Sequence, residues 1–191
     1  LFRFFDISEE MNTQTRSLET QRQEFAQRKF LAMPYAGTIM WTIVGIGGIL
    51  LPPQLETWLL FICTGFIASL GMFISKFTGE NFLDKTKPKN TFDNLFFFAM
   101  GEALLVYSIA IPFFMADYTS LPLTVGILTG LMWLPFSWII QHWVGLFHGI
   151  FRTVLALALW YLLPDYRFVA IPFAIVFVYI ITIVILLRRL E

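Results

Sequence analysis

The sequence predicts an all-α integral membrane protein, a bundle of six transmembrane helices preceded by a polar N-terminal helix. Two observations carry that prediction. Hydrophobic residues make up 58% of the 191 and charged residues only 14%, where soluble domains run at about 45–50% and 25%. The apolar residues are also gathered into six runs of about 20, the length a helix rising ~1.5 Å per residue needs to cross ~30 Å of hydrocarbon. None of the runs alternates with period two, and an open sheet edge is not viable in lipid. Helices are therefore predicted and a β-barrel is not.

The elements follow in order. Residues 1–29 form an N-terminal segment whose stretch from Ser8 to Lys29 is rich in Glu, Gln, Arg and Leu, all good helix formers. Its apolar residues, Met11, Leu18 and Phe25, recur only once per heptad, too thin a stripe for a coiled coil. The expectation is a solvated helix leading into the first span; an interfacial or partner-binding helix is the sharper alternative. Met11 followed by Asn-Thr-Gln reads as a natural start, which makes residues 1–10 an upstream extension and Leu190-Glu191 an appended end. The membrane domain, residues 30–191, is predicted to cross at 30–51, 55–77, 95–115, 121–140, 144–163 and 168–187. Turn chemistry separates the runs: Pro52-Pro53, the polar stretch 78–94, residues 116–120 ahead of Pro122, a very short break at 141–143, and Pro164-Asp165.

Positive charge orients the bundle. The N-terminal segment carries Arg3, Arg16, Arg22, Arg28 and Lys29, the second connection Lys76, Lys85, Lys87 and Lys89, and the C-terminus Arg188 and Arg189. The first and third connections carry none, and the fifth only Arg167. By the positive-inside rule both termini are expected in the cytoplasm, and a bacterial inner membrane is the expected location. The lipid bilayer is the expected partner, with a small anion or lipid headgroup and a homo-oligomer as further candidates. A net charge of +0 and short basic clusters flanking apolar runs give no nucleic-acid footprint. The single cysteine, Cys63, cannot form an internal disulfide and is expected to pack as a small hydrophobe.

The run Glu24-Phe25-Ala26-Gln27-Arg28, followed by Pro34-Tyr35, a Gly-rich first span and Leu50-Leu51-Pro52-Pro53, resembles a family of small multi-spanning bacterial membrane proteins of unknown function. The resemblance covers the first third of the chain. It implies no activity and transfers no site residue.

Ionisable residues inside spans are costly and usually face protein or water. Two stand out: Glu102, about seven residues into the third predicted span, and Arg152, about eight into the fifth. Matched depths of roughly 10–12 Å predict a cross-helix ion pair. On a helix with ~100° per residue, His148, Gly149, Arg152 and Ala156 share one sector with Gly145, and Gln141 joins them if the helix extends that far. Gly145-xxx-Gly149, and Gly126-xxx-Gly130 in the fourth span, have the spacing that lets helices approach closely, and Ser137 lies on the fourth span's glycine face. The candidate binding residues are thus Glu102, His148, Arg152, Gln141 and Ser137, bounding a polar pocket open to the cytoplasm. An arginine there favours a carboxylate, phosphate or headgroup, and a histidine beside it, with an ordinary imidazole pKa, is expected to make occupancy depend on pH near neutrality.

Signals for enzyme chemistry are weak. His142 and His148 are six apart and do not converge as a metal pair would. There is no Gly-x-Ser-x-Gly, Walker loop or dinucleotide fingerprint, so no catalytic residue, metal or cofactor is assigned. Gly45, Gly47 and Gly48 suit packing or local flexibility better than phosphate binding. Pro112, Pro135 and Pro172 can kink their spans. Three classes remain: transport or binding of a small solute, anion or proton through the polar pocket; a membrane scaffold in which a buried Glu–Arg pair sets helix register; and, last, an intramembrane enzyme. A wet, open pocket around Arg152 favours the first, a dry sealed one the second.

Overall fold

The computed structural model describes residues 16–189 apart from Leu83 and residues 85–87. Residues 1–10, Met11, Lys85, Lys87 and the Leu190-Glu191 end lie outside the described residues. Six helical stretches are long and apolar enough to cross a membrane: Ala32–Leu50, Pro53–Ser75, Thr91–Ala116, Tyr118–Ile139, Val144–Leu162 and Pro164–Arg188, here called spans 1 to 6. The helices are α1 (Leu18–Ala26), α2 (Ala32–Leu50), α3 (Pro53–Ser75), α4 (Thr91–Leu105), α5 (Tyr107–Ala116), α6 (Leu121–Leu128), α7 (Trp133–Ile139), α8 (Val144–Leu162) and α9 (Arg167–Arg188). No strand occurs among the described residues. The chain is an all-α membrane bundle.

The N-terminal helix is not the solvated lead expected from its thin apolar stripe. Ser17 caps α1 by accepting from the Thr20 N–H at 3.1 Å, and Glu19 in the first turn suits the helix dipole. One face is then buried: the Gln21 carboxamide accepts from the Thr91 N–H at 2.9 Å and its backbone carbonyl accepts from Asn90 at 2.7 Å. Phe25 is fully buried beside Phe30, Phe92 and Phe96. Arg28 pairs in a two-pronged contact with Asp93, and Arg189 at the far end of the chain donates to the carbonyls of Ala26 and Arg28 at 2.7 and 2.6 Å. Four polar partners on other segments, Asn90, Thr91, Asp93 and Arg189, replace the second apolar row that the heptad lacks.

Glu80, in the connection between spans 2 and 3, closes this same face. Its Oε1 accepts from the backbone N–H groups of Leu31 at 2.7 Å and Ala32 at 3.1 Å, capping span 1 from 49 residues away. The start of a helix leaves its first N–H groups without internal partners, and at a membrane boundary they need an acceptor. Gly79, with φ +78°, makes the turn that brings Glu80 back.

Spans 1 and 6 come close through backbone. A Cβ at Gly48 would lie 2.4 Å from the Phe168 carbonyl oxygen, and one at Gly37 would lie 2.3 Å from the Tyr179 ring. The glycines of the first span therefore serve close helix packing. Span 4 is discontinuous. Between α6 and α7, residues 129–132 run as tight turns, with the Gly130 N–H on Ile127 O at 2.8 Å and the Trp133 N–H on Gly130 O at 3.2 Å. Pro135 explains the position: it has no N–H for Leu131 O, which accepts instead from the Leu134 N–H at 3.0 Å.

Burial holds the Glu80 carboxyl above the usual carboxylate value of 4.5, against the opposing pull of its hydrogen bonds and of Lys29. The folded state then binds a proton more readily than the unfolded chain above that value, so this group's contribution to stability falls as pH rises through the folded pKa. Glu80→Gln, which keeps the acceptor oxygen, should gain in melting temperature relative to the native chain as pH increases from 4.5 towards neutrality. Glu80→Ala should be less stable throughout by about 1 kcal/mol, the cost of a lost cap. Parallel pH dependence of native and Glu80→Gln proteins in thermal unfolding would contradict this.

Candidate functional site

Among the described residues the most buried charge is Arg152, in the first half of span 5, with 1% of its surface exposed. Its Nη2 donates to Thr129 Oγ1 at 2.7 Å, and its Nη1 donates to the Tyr179 hydroxyl at 3.3 Å and faces His148 Nε2 at 3.5 Å. The guanidinium carbon lies 5.4 Å from the centre of the Trp41 ring and 5.6 Å from that of Tyr179, within cation–π range. Groups from spans 1, 4, 5 and 6 thus converge on one cation.

Hydrogen-bond direction fixes much of the site. Thr129 Oγ donates to Val125 O at 2.6 Å, so its oxygen is left to accept from Arg152. Thr182 Oγ donates to Val178 O at 2.8 Å, so at its 2.9 Å contact with His148 Nδ1 the histidine is the donor. His148 is then the Nδ1–H tautomer, and its Nε2 lone pair points to Arg152. The imidazole is clamped by stacking on Trp133, with centroids 4.1 Å apart and planes at 20°, and by the edge of Tyr179.

Donors outnumber acceptors here. Arg152 Nε and Trp41 Nε1 are both buried with no hydrogen-bond acceptor among the described residues. No carboxylate pairs with Arg152 among them either. A guanidinium buried without a counter-charge is expensive, and hydroxyl oxygens and ring faces offset only part of that cost.

The five residues proposed from sequence do not form one pocket. His148 and Arg152 meet as described, but Glu102 is exposed on the outer side of span 3. Asn90 caps α4, accepting from the Phe92 N–H at 2.9 Å, so the helix starts four residues before the predicted 95. Glu102 is then about 17 Å from the start of its helix and Arg152 about 12 Å from the start of its own, so the match counted from the predicted spans does not hold. Its face is also wrong. The inward face of α4 is set by Phe92 and Phe96, and Glu102 lies about 120° round from Phe96, among the outward-facing Phe98, Ile109 and Phe113.

Gln141 is displaced because span 5 does not extend to it. It takes φ +50° in the turn after α7, and its side chain donates back to Trp138 O at 2.7 Å. Ser137 closes that turn, its hydroxyl donating to His142 O at 2.5 Å. Among the described residues no mouth opens at Arg152, which is sealed by Thr129, Tyr179 and the aromatic rings. Trp41, Thr129, Tyr179 and Thr182 escaped sequence reading. A tryptophan in mid-span, far from the interfacial belts, and two hydroxyls three apart in an aliphatic span were the available signals.

The glycines make the site possible. A Cβ at Gly130 would lie 3.1 Å from Arg152 Cδ, and one at Gly149 would lie 3.3 Å from Gly130 O. A Cβ at Gly145 would sit 2.3 Å from Trp133 O, whereas Gly126 faces Ile175 of span 6. Spans 4 and 5 therefore touch by backbone where span 4 breaks.

Residues 18–189 match a family of unknown function (DUF7010). No curated protein and no solved structure matches the chain.

Substitution of Gly145 by Ala should separate α7 from α8 and cost about 1–3 kcal/mol, the range of overpacking. Gly101→Ala, where a Cβ meets nothing within 4 Å, should be neutral or slightly stabilising. Thermal unfolding of the two variants checks the contrast, and equal melting temperatures would mean that spans 4 and 5 are not in backbone contact.

Proposed function

The chain belongs to this family of unknown function, and we propose that it is a membrane carrier or binding protein for a small anion, with Arg152 as the group that holds the anion inside the bundle. The observation that carries the reading is the missing counter-charge: a sealed guanidinium with an unused Nε–H, beside an unused Trp41 indole N–H. An anion with two or three oxygens, or a halide, would take up such donors and neutralise the cation. Entry requires movement. The candidate gate is the break at residues 129–132, since Thr129 on that break is a direct partner of Arg152 and discontinuous helices lend themselves to rocking about a fixed site.

Sealing speaks for a second reading, in which Arg152 is a latch and the protein a scaffold. One side chain ties span 5 to Thr129 of span 4 and Tyr179 of span 6, and lies over Trp41 of span 1. The absence of a carboxylate among the described partners counts against it, because a latch that need not bind anything gains nothing from an unpaired charge.

Ligand-induced stabilisation separates the two. Purified native protein is melted in chloride, inorganic phosphate or acetate, each against gluconate at equal ionic strength. Binding at 100 times Kd should add about 2.7 kcal/mol, and the gain should vanish in Arg152→Gln. If no anion raises the native melting temperature while Arg152→Gln lowers it, the latch reading stands in its place.

Orientation belongs to the same proposal. Arg28, Lys29, Lys76, Lys89, Arg188 and Arg189 gather at one end of the bundle, with Arg167 at the other, an asymmetry that supports cytoplasmic termini under the positive-inside rule. In a Cys63→Ser background, Asp165→Cys should react with a membrane-impermeant maleimide on intact cells and Thr78→Cys only after lysis. The reverse pattern would invert the topology.

A further inference from the structure

A second feature lies on the other side of α7 from Arg152. A cavity of about 340 Å³ sits between α4 and the second half of span 4, lined by Phe96, Phe98, Met132, Pro135, Phe136 and Glu102. Its size falls in the ~300–1,000 Å³ range of small-molecule sites. Glu102 is the one charged group in the wall, and the rest is aromatic or aliphatic. Phe96 and Phe136, 6.3 Å apart, close its inner side, while Phe98 is 80% exposed at its rim.

Glu102 lies about 17 Å from the start of a 26-residue span, too deep for lipid headgroups. A carboxylate at that depth is costly unless something pairs with it, and no cation does so among the described residues. A second copy of the chain could not supply one. Within the described spans the cations are Arg152, which is sealed, and Arg167 and Arg188, which lie at span ends. What Glu102 lacks is a positive charge carried on an apolar body able to reach the bilayer interior.

We propose that this cavity binds a lipophilic cation, an amine or onium ion with aromatic or branched apolar substituents, which enters sideways from the bilayer and sets its charge against Glu102. Phe96, Phe98 and Phe136 receive the apolar body and present ring faces to the cation. The rest of the wall is apolar, so a hydrophilic cation would lose its hydration with little in return. The site is separate from Arg152, and its occupant has the opposite charge.

The test uses the full chain in lipid nanodiscs with tetraphenylphosphonium as probe and triphenylphosphine oxide as a neutral comparator, both followed by equilibrium dialysis. Saturable binding of the cation, at least roughly tenfold tighter than the neutral compound, is expected. Glu102→Gln should remove that preference and Glu102→Asp should keep it. Ala99→Phe, which fills the cavity from a lining position and leaves the carboxylate in the chain, should weaken both probes. Chloride, inorganic phosphate and acetate, the probes of the Arg152 site, should not compete with tetraphenylphosphonium on the native chain, so a failure of anion binding at Arg152 would be told apart from a failure here. The proposal is overturned if the native protein does not bind the cation, if the two probes bind alike, or if Glu102→Gln binds as the native chain does. A Glu102-dependent dimer that does not bind the cation would also overturn it, showing that protein covers the carboxylate.

Discussion

A guanidinium with 1% of its surface exposed inside a membrane bundle is the constraint around which the other elements are arranged. It carries five N–H donors and a full charge into a region where water cannot serve them. The bundle answers with oxygens whose own protons are already given to backbone carbonyls: Thr129 donates to Val125 and thereby leaves a clean acceptor for Arg152. On span 6 the same device, Thr182 on Val178, fixes the tautomer of His148 and turns its free lone pair towards the arginine. Two aromatic faces supply the remaining attraction. These partners come from different spans, so the relative positions of spans 1, 4, 5 and 6 are tied to this one side chain.

The break in span 4 is the local feature that makes this geometry available. Pro135 denies Leu131 its helical hydrogen bond, and Gly130 brings little helix propensity to the gap, so the chain passes Arg152 as a series of tight turns. The half-helix that follows is a shared wall. Trp133 stacks on His148, while Met132, Pro135 and Phe136 border the cavity that holds Glu102. A displacement of α7 would therefore be felt on both sides at once. Backbone contact at Gly145 and Gly149 limits how far it could move without separating spans 4 and 5.

At the basic end of the bundle, hydrogen bonds between remote segments replace hydrophobic periodicity. Glu80 caps span 1, Arg28 meets Asp93, Gln21 meets Asn90 and Thr91, and Arg189 holds the carbonyls of Ala26 and Arg28. Each contact joins chain segments far apart in sequence. The opposite end has a smaller counterpart, where Arg167 lies 3.4 Å over the Trp160 ring and donates to Thr119 at 2.7 Å.

Residue composition and run length alone determined that the chain is a helical membrane bundle with six crossings, because the bilayer imposes a single length and requires every backbone group to be satisfied within its own segment. The kink potential of Pro135 and the unusual face of Gly145, His148 and Arg152 were legible for the same reason: they are properties of one helix. What only the tertiary structure decided is which groups meet across helices. Counted from the predicted spans, Glu102 and Arg152 match in depth. The structure turns the Phe92 and Phe96 face of α4 inward and leaves Glu102 about 120° away from it, and spacing does not say which face of a helix meets the bundle. The docking of α1 and the partners Trp41, Thr129 and Tyr179 were likewise beyond the reach of periodicity, since hydrogen bonds and ring contacts between spans depend on rotation and crossing geometry that local sequence does not encode.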